Sequence, residues 1–422
     1  MPSPLPLYKV WHIESDNRRA SVVNDPWLYG TDSPDVTRCL YQCYMYAVLN
    51  DDPEANHYSL PMAFAPIFDA HTAELVEIER LPRGAGAELD QETVPWDAVE
   101  PVEYGERLLG KPYFRQDLKP LHTVREGPVL HNVFYDGRLL FHRVSMSEMT
   151  APYGDPRAPY RRKQAFDLGD TGFGLTSNTL ALGCDCLGQI AYFDGIRTTG
   201  TGEPVEMKNV ICMHEVDEGI GWKHTNMRNR TLVIQCTATV MNYEYILAFV
   251  LDQAANLHVE VKATGIMSTM PIARHTSSPW GTVVAPGVLA VNHQHLLNLR
   301  IDPALDGTGN TVVYNDVLPV RDDPTLDDPQ GCAFRRTTTA ISQPGGYELN
   351  LAASRTYRII NPNRTNAISG EPVGYRLHAS PSQMLIMGPE TFNSRRGRFT
   401  TKPIWDTDYR DEELYAAGEF TN

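Results

Sequence analysis

No stretch of this 422-residue chain approaches the ~18 consecutive apolar residues that a membrane-spanning helix needs, so insertion into a bilayer is not expected. The opening, Met1-Pro2-Ser3-Pro4-Leu5-Pro6-Leu7, lacks the basic and then apolar segments of a secretory signal, and Phe420-Thr421-Asn422 is not a Ser-Lys-Leu type ending. The start reads as uncleaved or artificially early, and a soluble intracellular address, cytoplasmic or peroxisomal, is the expectation. Positive charge is in short supply: 37 Lys and Arg against 52 Asp and Glu leave a formal net charge of −15, which would repel phosphate backbones and argues against a nucleic-acid partner. Seven cysteines are too few for a disulfide scaffold at this length, and the odd count leaves at least one thiol unpaired within the monomer. Internal repeats and low-complexity segments are absent as well. What remains is an ordinary globular composition, 42% hydrophobic and 21% charged. The chain is long enough for two or three domains, since a single core usually stops growing beyond roughly 250 to 300 residues.

Ser33-Pro34-Asp35 opens a segment in which Val36, Leu40, Cys43, Tyr44, Ala47 and Val48 recur at helical spacing, and Asn50-Asp51-Asp52-Pro53 closes it. One amphipathic helix is predicted there. Residues 59–68 and 74–81 are rich in strand formers around a turn at Asp69-Ala70-His71-Thr72, the pattern of a hairpin. Residues 1–81 therefore read as a small α+β domain. The stretch 82–112, rich in Gly, Pro and acidic residues, reads as a linker. In 113–422, short runs of strand character at 129–135, 139–144, 189–193, 231–250, 258–263, 281–291 and 347–351 alternate with turn residues, which predicts a large antiparallel β-sandwich and a mainly-β chain.

Within that sandwich, His293-Gln294-His295 can present both imidazoles to one point, because alternate side chains of a strand share a face. Imidazole suits copper, zinc, iron and nickel alike, and His pairs also occur as hydrogen-bonded core residues. Of the other histidines, His214 and His224 flank a loop, His258 lies on a strand, and His378 is the only one after His295. Asn242-Tyr243-Glu244-Tyr245, taken alone, is strand sequence. Asp167, in Phe166-Asp167-Leu168-Gly169-Asp170, taken alone is a turn residue. The seven cysteines, taken alone, are buried thiols.

The order of these runs changes their meaning. Ser147-Glu148-Met149-Thr150-Ala151-Pro152-Tyr153-Gly154, the Asp167 run, Leu182-Gly183-Cys184-Asp185-Cys186, Val210-Ile211-Cys212-Met213-His214-Glu215, the Tyr243 run, Ser278-Pro279-Trp280-Gly281-Thr282 and Asn292-His293-Gln294-His295-Leu296 follow one another as in the copper-containing amine oxidases. The chain resembles that family from about Arg38 to its end.

The resemblance implies a primary-amine oxidase that releases aldehyde, ammonia and hydrogen peroxide, using copper and a topaquinone made from its own tyrosine. Tyr243 would be the topaquinone precursor, whose quinone carbonyl a primary amine attacks to form a Schiff base. Asp167 would be the base that takes the proton from the substrate carbon next to nitrogen, with Phe166 and Phe173 as an apolar wall. Tyr153 would hydrogen-bond the quinone oxygen and Asn242 would orient the ring. His293 and His295 would hold copper, Cys186 and Cys212 would form a disulfide, and Asp302 would contribute to a peripheral calcium- or manganese-type site, although Pro303-Ala304 lacks the next carboxylate and a solvated turn competes with that reading. A small primary amine, dioxygen and a second copy of the chain are the implied partners.

The chain also departs from the pattern. The family's third copper histidine lies on a later strand, and Asn422 is reached before it; His378 falls on a different strand. Stretches between Leu121 and Arg125 and between Arg230 and Leu232 read as shortened, and the amino-terminal part as lacking a small domain. The rival expectation is a catalytically inactive member acting as a binding or structural subunit, and a third is an unrelated β-sandwich whose His pair binds zinc.

Overall fold

A computed structural model of the chain describes residues 11–15, 18–29, 40–49, 57–58, 60–81, 122–135, 137–222, 227–322, 324–326, 328, 331–379, 381, 383–409 and 416. Two compact units divide it: Met1–Pro128 with Thr150–His295, and Val129–Met149 with Leu296–Asn422. The expected linker at 82–112 lies outside the described residues.

The first unit begins with a five-stranded antiparallel sheet in chain order, β1 (Trp11–Ser15), β2 (Arg18–Tyr29), β3 (Leu40–Leu49), β4 (Phe64–Asp69) and β5 (Leu75–Arg80). The expected hairpin is β4–β5, and Asp69 closes its turn by accepting hydrogen bonds on Oδ1 from the backbone N–H groups of His71 (2.9 Å) and Thr72 (3.1 Å). The expected helix is corrected: residues 40–49 are a strand, and the described part of 1–81 holds no helix, so α+β becomes all-β there. The reason lies in burial. As the central strand, β3 is covered on both faces, with Gln42, Tyr44, Tyr46 and Val48 buried on one and Cys43 and Ala47 on the other. A strand buried on both faces has apolar residues throughout, and subsets of such a run match helical spacing by accident. Residues 30–39, where the helix would begin, lie outside the described residues.

Tyr44, Tyr46, Ala65 and Leu81 of this region share one buried core with Tyr153, Tyr160, Met270, Leu289 and Val291, and Trp27 packs against it. That core ties the amino-terminal sheet to the segments bearing Tyr153 and leading into His293. Next come β6 (His122–Thr123), which pairs the start of β7 (Gly127–Tyr135), and the long β8 (Arg138–Pro152), whose end pairs β9 (Gln164–Phe166). A five-stranded antiparallel meander follows: β10 (Ala191–Thr198), β11 (Pro204–Trp222), β12 (Met227–Val240), β13 (Tyr243–Asp252) and β14 (Leu257–Gly265). The single run read at 231–250 is in fact a hairpin, broken by a two-residue turn at Met241-Asn242 with Met241 at φ 56°. The unit closes with β15 (Thr269–Pro271), β16 (Gly281–Ala285) and β17 (Val288–Val291).

Gly265 pairs Tyr243 across β13–β14 at φ 111°, and a Cβ there would meet Asn242 O at 2.5 Å and Tyr243 Cα at 2.9 Å. Gly265→Ala should therefore destabilise the protein by about 2–3 kcal/mol, read as a lower urea midpoint at unchanged m-value. An unaltered midpoint would mean that the β13–β14 end is not as close as described.

In the second unit β7 and β8 pair antiparallel, Val129 opposite Ser145, with β18 (Leu296–Pro303) beside β8. A four-stranded sheet in the order β20 (Phe334–Ala340), β19 (Thr311–Pro319), β22 (Thr356–Thr365), β23 (Pro372–Leu377), and a two-stranded one of β21 (Gly345–Tyr347) and β24 (Ile404–Asp406), complete it. The strand expected at 347–351 is only its first residue; Leu351 is 90% exposed. The one α-helix among the described residues, α1 (Phe392–Arg396), is capped by Thr391, whose Oγ1 accepts from Ser394 N at 3.1 Å. No helix among the described residues is long and apolar enough to cross a membrane. The protein is mainly β, as the alternating pattern of 113–422 implies.

Candidate active site

Two strands and one short segment of the first unit bring the sequence candidates together. Tyr243 opens β13, and period-2 alternation puts Tyr245 on the same face. The segment Asn292–His295 runs antiparallel to Pro152–Gly154: Gly154 N donates to Asn292 O (2.8 Å), Gln294 N donates to Pro152 O (3.1 Å), and Tyr153 bridges His293. The imidazoles of His293 and His295 meet as expected, 4.9 Å between centroids, while Gln294 is buried elsewhere.

The two tyrosines and two histidines form matched couples. Tyr243 Oη lies 2.9 Å from His293 Nε2, and Tyr245 Oη lies 3.0 Å from His295 Nδ1. His293 Nδ1 is held 3.0 Å from Val291 O, where it donates. Both Nδ1 atoms are thus engaged, which leaves Nε2 as the ligand atom for a metal in each ring and fixes ring orientation in the way that outer partners of metal-binding histidines do. Burial lowers the pKa of both imidazoles, His295 to about 4, so both are neutral donors at neutral pH. The set of two imidazole nitrogens beside a phenol oxygen suits copper. Among the described residues no third His, Cys, Asp or Glu joins the pair. His378 lies just beyond β23 in the second unit.

Tyr153 stacks on His293, 4.9 Å and 17° between rings, and its buried hydroxyl has no partner at good hydrogen-bond geometry. It lies close enough to Tyr243 for the two hydroxyls to influence each other's ionisation. A buried hydroxyl without a partner beside this ring leaves a donor for an added ring oxygen, so the site fits the quinone as well as the metal. Burial raises the pKa of Tyr243, and Tyr153, the Ser268 backbone and Asn242 pull it back down. Asn242 fixes the turn from both ends: its O accepts from Ile266 N (2.7 Å) and its Nδ2 donates to Ile266 O (2.6 Å).

Asp167 opens a single π-turn, Asp167–Thr171, closed by Gly172 N donating to Asp167 O at 3.1 Å. The residue is buried, as are Phe166 and Leu168 on either side, and Phe173 packs 6.5 Å from the Tyr245 ring. Its carboxylate is near enough to raise the pKa of both Tyr243 and Tyr245. Asp167, Tyr245 and His295 therefore form one polar chain beside Tyr243.

Two expectations change. Cys186 and Cys212 come together but are free thiols, not a disulfide. Their sulfurs share a cluster with His214, all ligand atoms within 4.8 Å, and Cys212 Sγ lies 3.9 Å from His214 Nδ1. Burial pushes both thiols up, which keeps them protonated. His214 is in strand β11, not beside a loop. Asp302 is buried with both carboxylate oxygens clasped by Arg300 (3.0, 3.0 and 2.8 Å), and among the described residues it joins no group of three metal-binding side chains. Arg300 already supplies the positive charge that a cation would bring.

Sequence reasoning passed over Tyr245 and Lys163. The first had a signal: two i, i+2 pairs of complementary chemistry, each fifty residues from its mate.

Burial also sets an acid limit. His122, whose Nε2 lies 3.1 Å from Ser177 Oγ, is like His295 lowered by burial from 6.5 to about 4. Between pH 6.5 and 4 the unfolded chain binds protons on these rings that the folded chain does not, so stability falls as pH drops through that window. In His122→Gln the slope of unfolding free energy against pH should shrink by close to one proton; an unchanged slope would contradict the burial of a neutral imidazole there.

The comparisons with known proteins agree with this site. The family model described as copper amine oxidase, enzyme domain, matches residues 115–422. Copper amine oxidase 1 of Aspergillus niger is 38% identical over 442 aligned positions, which cover 95% of this chain and 66% of that protein. A peroxisomal primary amine oxidase of Pichia angusta is 32% identical over 447, covering 96% and 64%. The crystal structure of a copper-containing benzylamine oxidase from Hansenula polymorpha superposes with a TM-score of 0.86 at 44% identity, over 96% of this chain and 68% of that one. The chain thus spans about two thirds of the length of the relatives it matches.

Proposed function

We propose, for a chain that belongs to the copper amine oxidase family, that Tyr243 is the ring converted to topaquinone and that the protein oxidatively deaminates small primary amines with dioxygen, releasing aldehyde, ammonia and hydrogen peroxide. The observation that carries this reading is the Tyr243 hydroxyl 2.9 Å from His293 Nε2, beside a second neutral imidazole. Copper bound at His293 and His295 supplies, with dioxygen, the oxidising power for the ring, and the resulting quinone supplies an electrophilic carbonyl and a two-electron sink for the amine.

The chain's own residues do the rest. Asp167, held in a buried turn beside Tyr243 and Tyr245, takes the proton from the substrate carbon next to nitrogen, and its removal from water keeps the carboxylate from being solvated in competition with that step. Tyr153 donates its otherwise unpartnered hydroxyl to a ring oxygen at position 243. Asn242 holds the turn from which the ring projects, and Val291 and Tyr245 hold the imidazoles. A second copy of the chain belongs to this reading as its partner.

The test is aerobic incubation of the purified chain with copper, followed by a redox-cycling quinone stain, metal analysis and a far-UV spectrum. Copper uptake with a positive stain is expected. A folded chain that takes up no copper and does not stain is instead an inactive family member serving as a binding or structural subunit.

A further inference from the structure

Behind Tyr153 lies a lysine that the reading above does not use. Lys163 follows the short 3-10 turn Tyr160–Arg162 and is 3% exposed. Its Nζ sits 4.5 Å from the centroid of each of three rings, Trp27, Tyr44 and Tyr153, and donates to Ser268 Oγ at 2.7 Å. Asp25, buried alongside, is the compensating charge: burial raises its pKa and Lys163 draws it back down. Its Oδ2 accepts from Trp27 Nε1 at 2.8 Å, while Oδ1 has no hydrogen-bond partner. The amino-terminal sheet thus builds the cage, with Asp25 and Trp27 on β2 and Tyr44 on β3.

Removing an ammonium from water is expensive, and the three ring faces and the carboxylate offset that cost only by being placed for it. An apolar side chain of similar length would fill the same space with no such cost. The core does not need the charge, and burial lowers the Lys163 pKa only to about 8, so the charge persists at neutral pH. Its nearest route outward is Tyr153, whose ring lies against Nζ and stacks on His293 and whose hydroxyl adjoins that of Tyr243. A cation against a phenol ring draws electron density from the hydroxyl and makes it a stronger donor, and its field favours negative charge on the oxygen that accepts.

We infer that Lys163 is a positioning residue which, through Tyr153, stabilises negative charge on the oxygen-bearing ring at position 243. The titratable groups that face it are Asp25 from β2, Tyr44 from β3, Tyr153 and Tyr160 from the segment after β8, and, beyond Tyr153, Tyr243 and His293. The inference rests on Tyr243 being the reactive ring, so its test avoids cofactor formation.

The experiment is a 19F NMR titration of the full copper-free chain carrying a fluorinated tyrosine at position 243. Lys163→Met should weaken ionisation of that phenol by about tenfold, Lys163→Arg should restore most of it, and Asp25→Asn should shift it in the opposite direction. Titration curves that coincide in all the variants, with circular dichroism unchanged, would overturn the inference. If Lys163→Met does not fold, the opposed shifts of Asp25→Asn and Lys163→Arg relative to the unaltered chain decide it: a shift in Asp25→Asn supports it and none refutes it. A chain that shows these shifts but never forms a quinone keeps this inference and loses the oxidase reading; a chain that forms the quinone without the shifts does the reverse.

Discussion

Tyr243→Phe is expected to remove quinone staining and amine-dependent peroxide entirely while leaving the fold, and copper bound at His293 and His295, largely in place. The reasoning is chemical before it is structural. The phenol oxygen is the group set 2.9 Å from His293 Nε2, and without it the ring has neither the electron-rich site that oxidation requires nor an oxygen to become a carbonyl. No neighbour can substitute: Tyr153 is stacked on His293, and Tyr245 is bound to His295 Nδ1. The fold should tolerate the change because Tyr243 is only partly buried and a phenyl ring keeps its packing. Unfolding midpoint, copper content and stain, measured together, separate loss of the reactive group from loss of structure. Staining that survives in Tyr243→Phe would sink the assignment.

Asp167→Asn should have the opposite signature. The quinone stain and copper content should remain, and turnover should fall by about 10²- to 10⁴-fold, the usual contribution of a positioned general base. An amide is nearly the same size and can still hydrogen-bond Tyr245, so the π-turn should survive, yet it cannot accept a proton from carbon. A loss in kcat with little change in KM would match a group needed only in the reaction step, whereas a loss confined to KM would make Asp167 a binding residue. Substrate deuterated at the carbon next to nitrogen should show a larger isotope effect in the variant.

Most of the site could be read from the chain because its chemistry is local and ordered. Tyr243 and the His293, His295 pair stand on period-2 strand segments, and Asp167 and Tyr153 sit in runs whose succession carries the meaning. The parts that could not be read depend on distant pairings. Trp27 and Lys163 are far apart in the chain, and neither has a neighbourhood that points to a cage. The amino-terminal sheet was misread for a related reason: burial of β3 on both faces comes from β2 and β4, and periodicity within one segment cannot report what its neighbours cover. Cys186 and Cys212 illustrate a different limit, since proximity could be carried over from a resemblance while the state of the two sulfurs could not.

The two-residue turn at Met241-Asn242 has a consequence for how such a site tolerates change. Val240 is paired with Tyr243 across it, and every later rung of β12 and β13 counts from that pairing. One residue added or lost at the corner would turn β13 over, offering Glu244 and Ile246 to the imidazoles in place of Tyr243 and Tyr245. Exchanging one amino acid for another at the corner only alters its comfort. Changing its length transposes the whole phase of the hairpin, so diversity at this place can be a matter of spelling but not of counting.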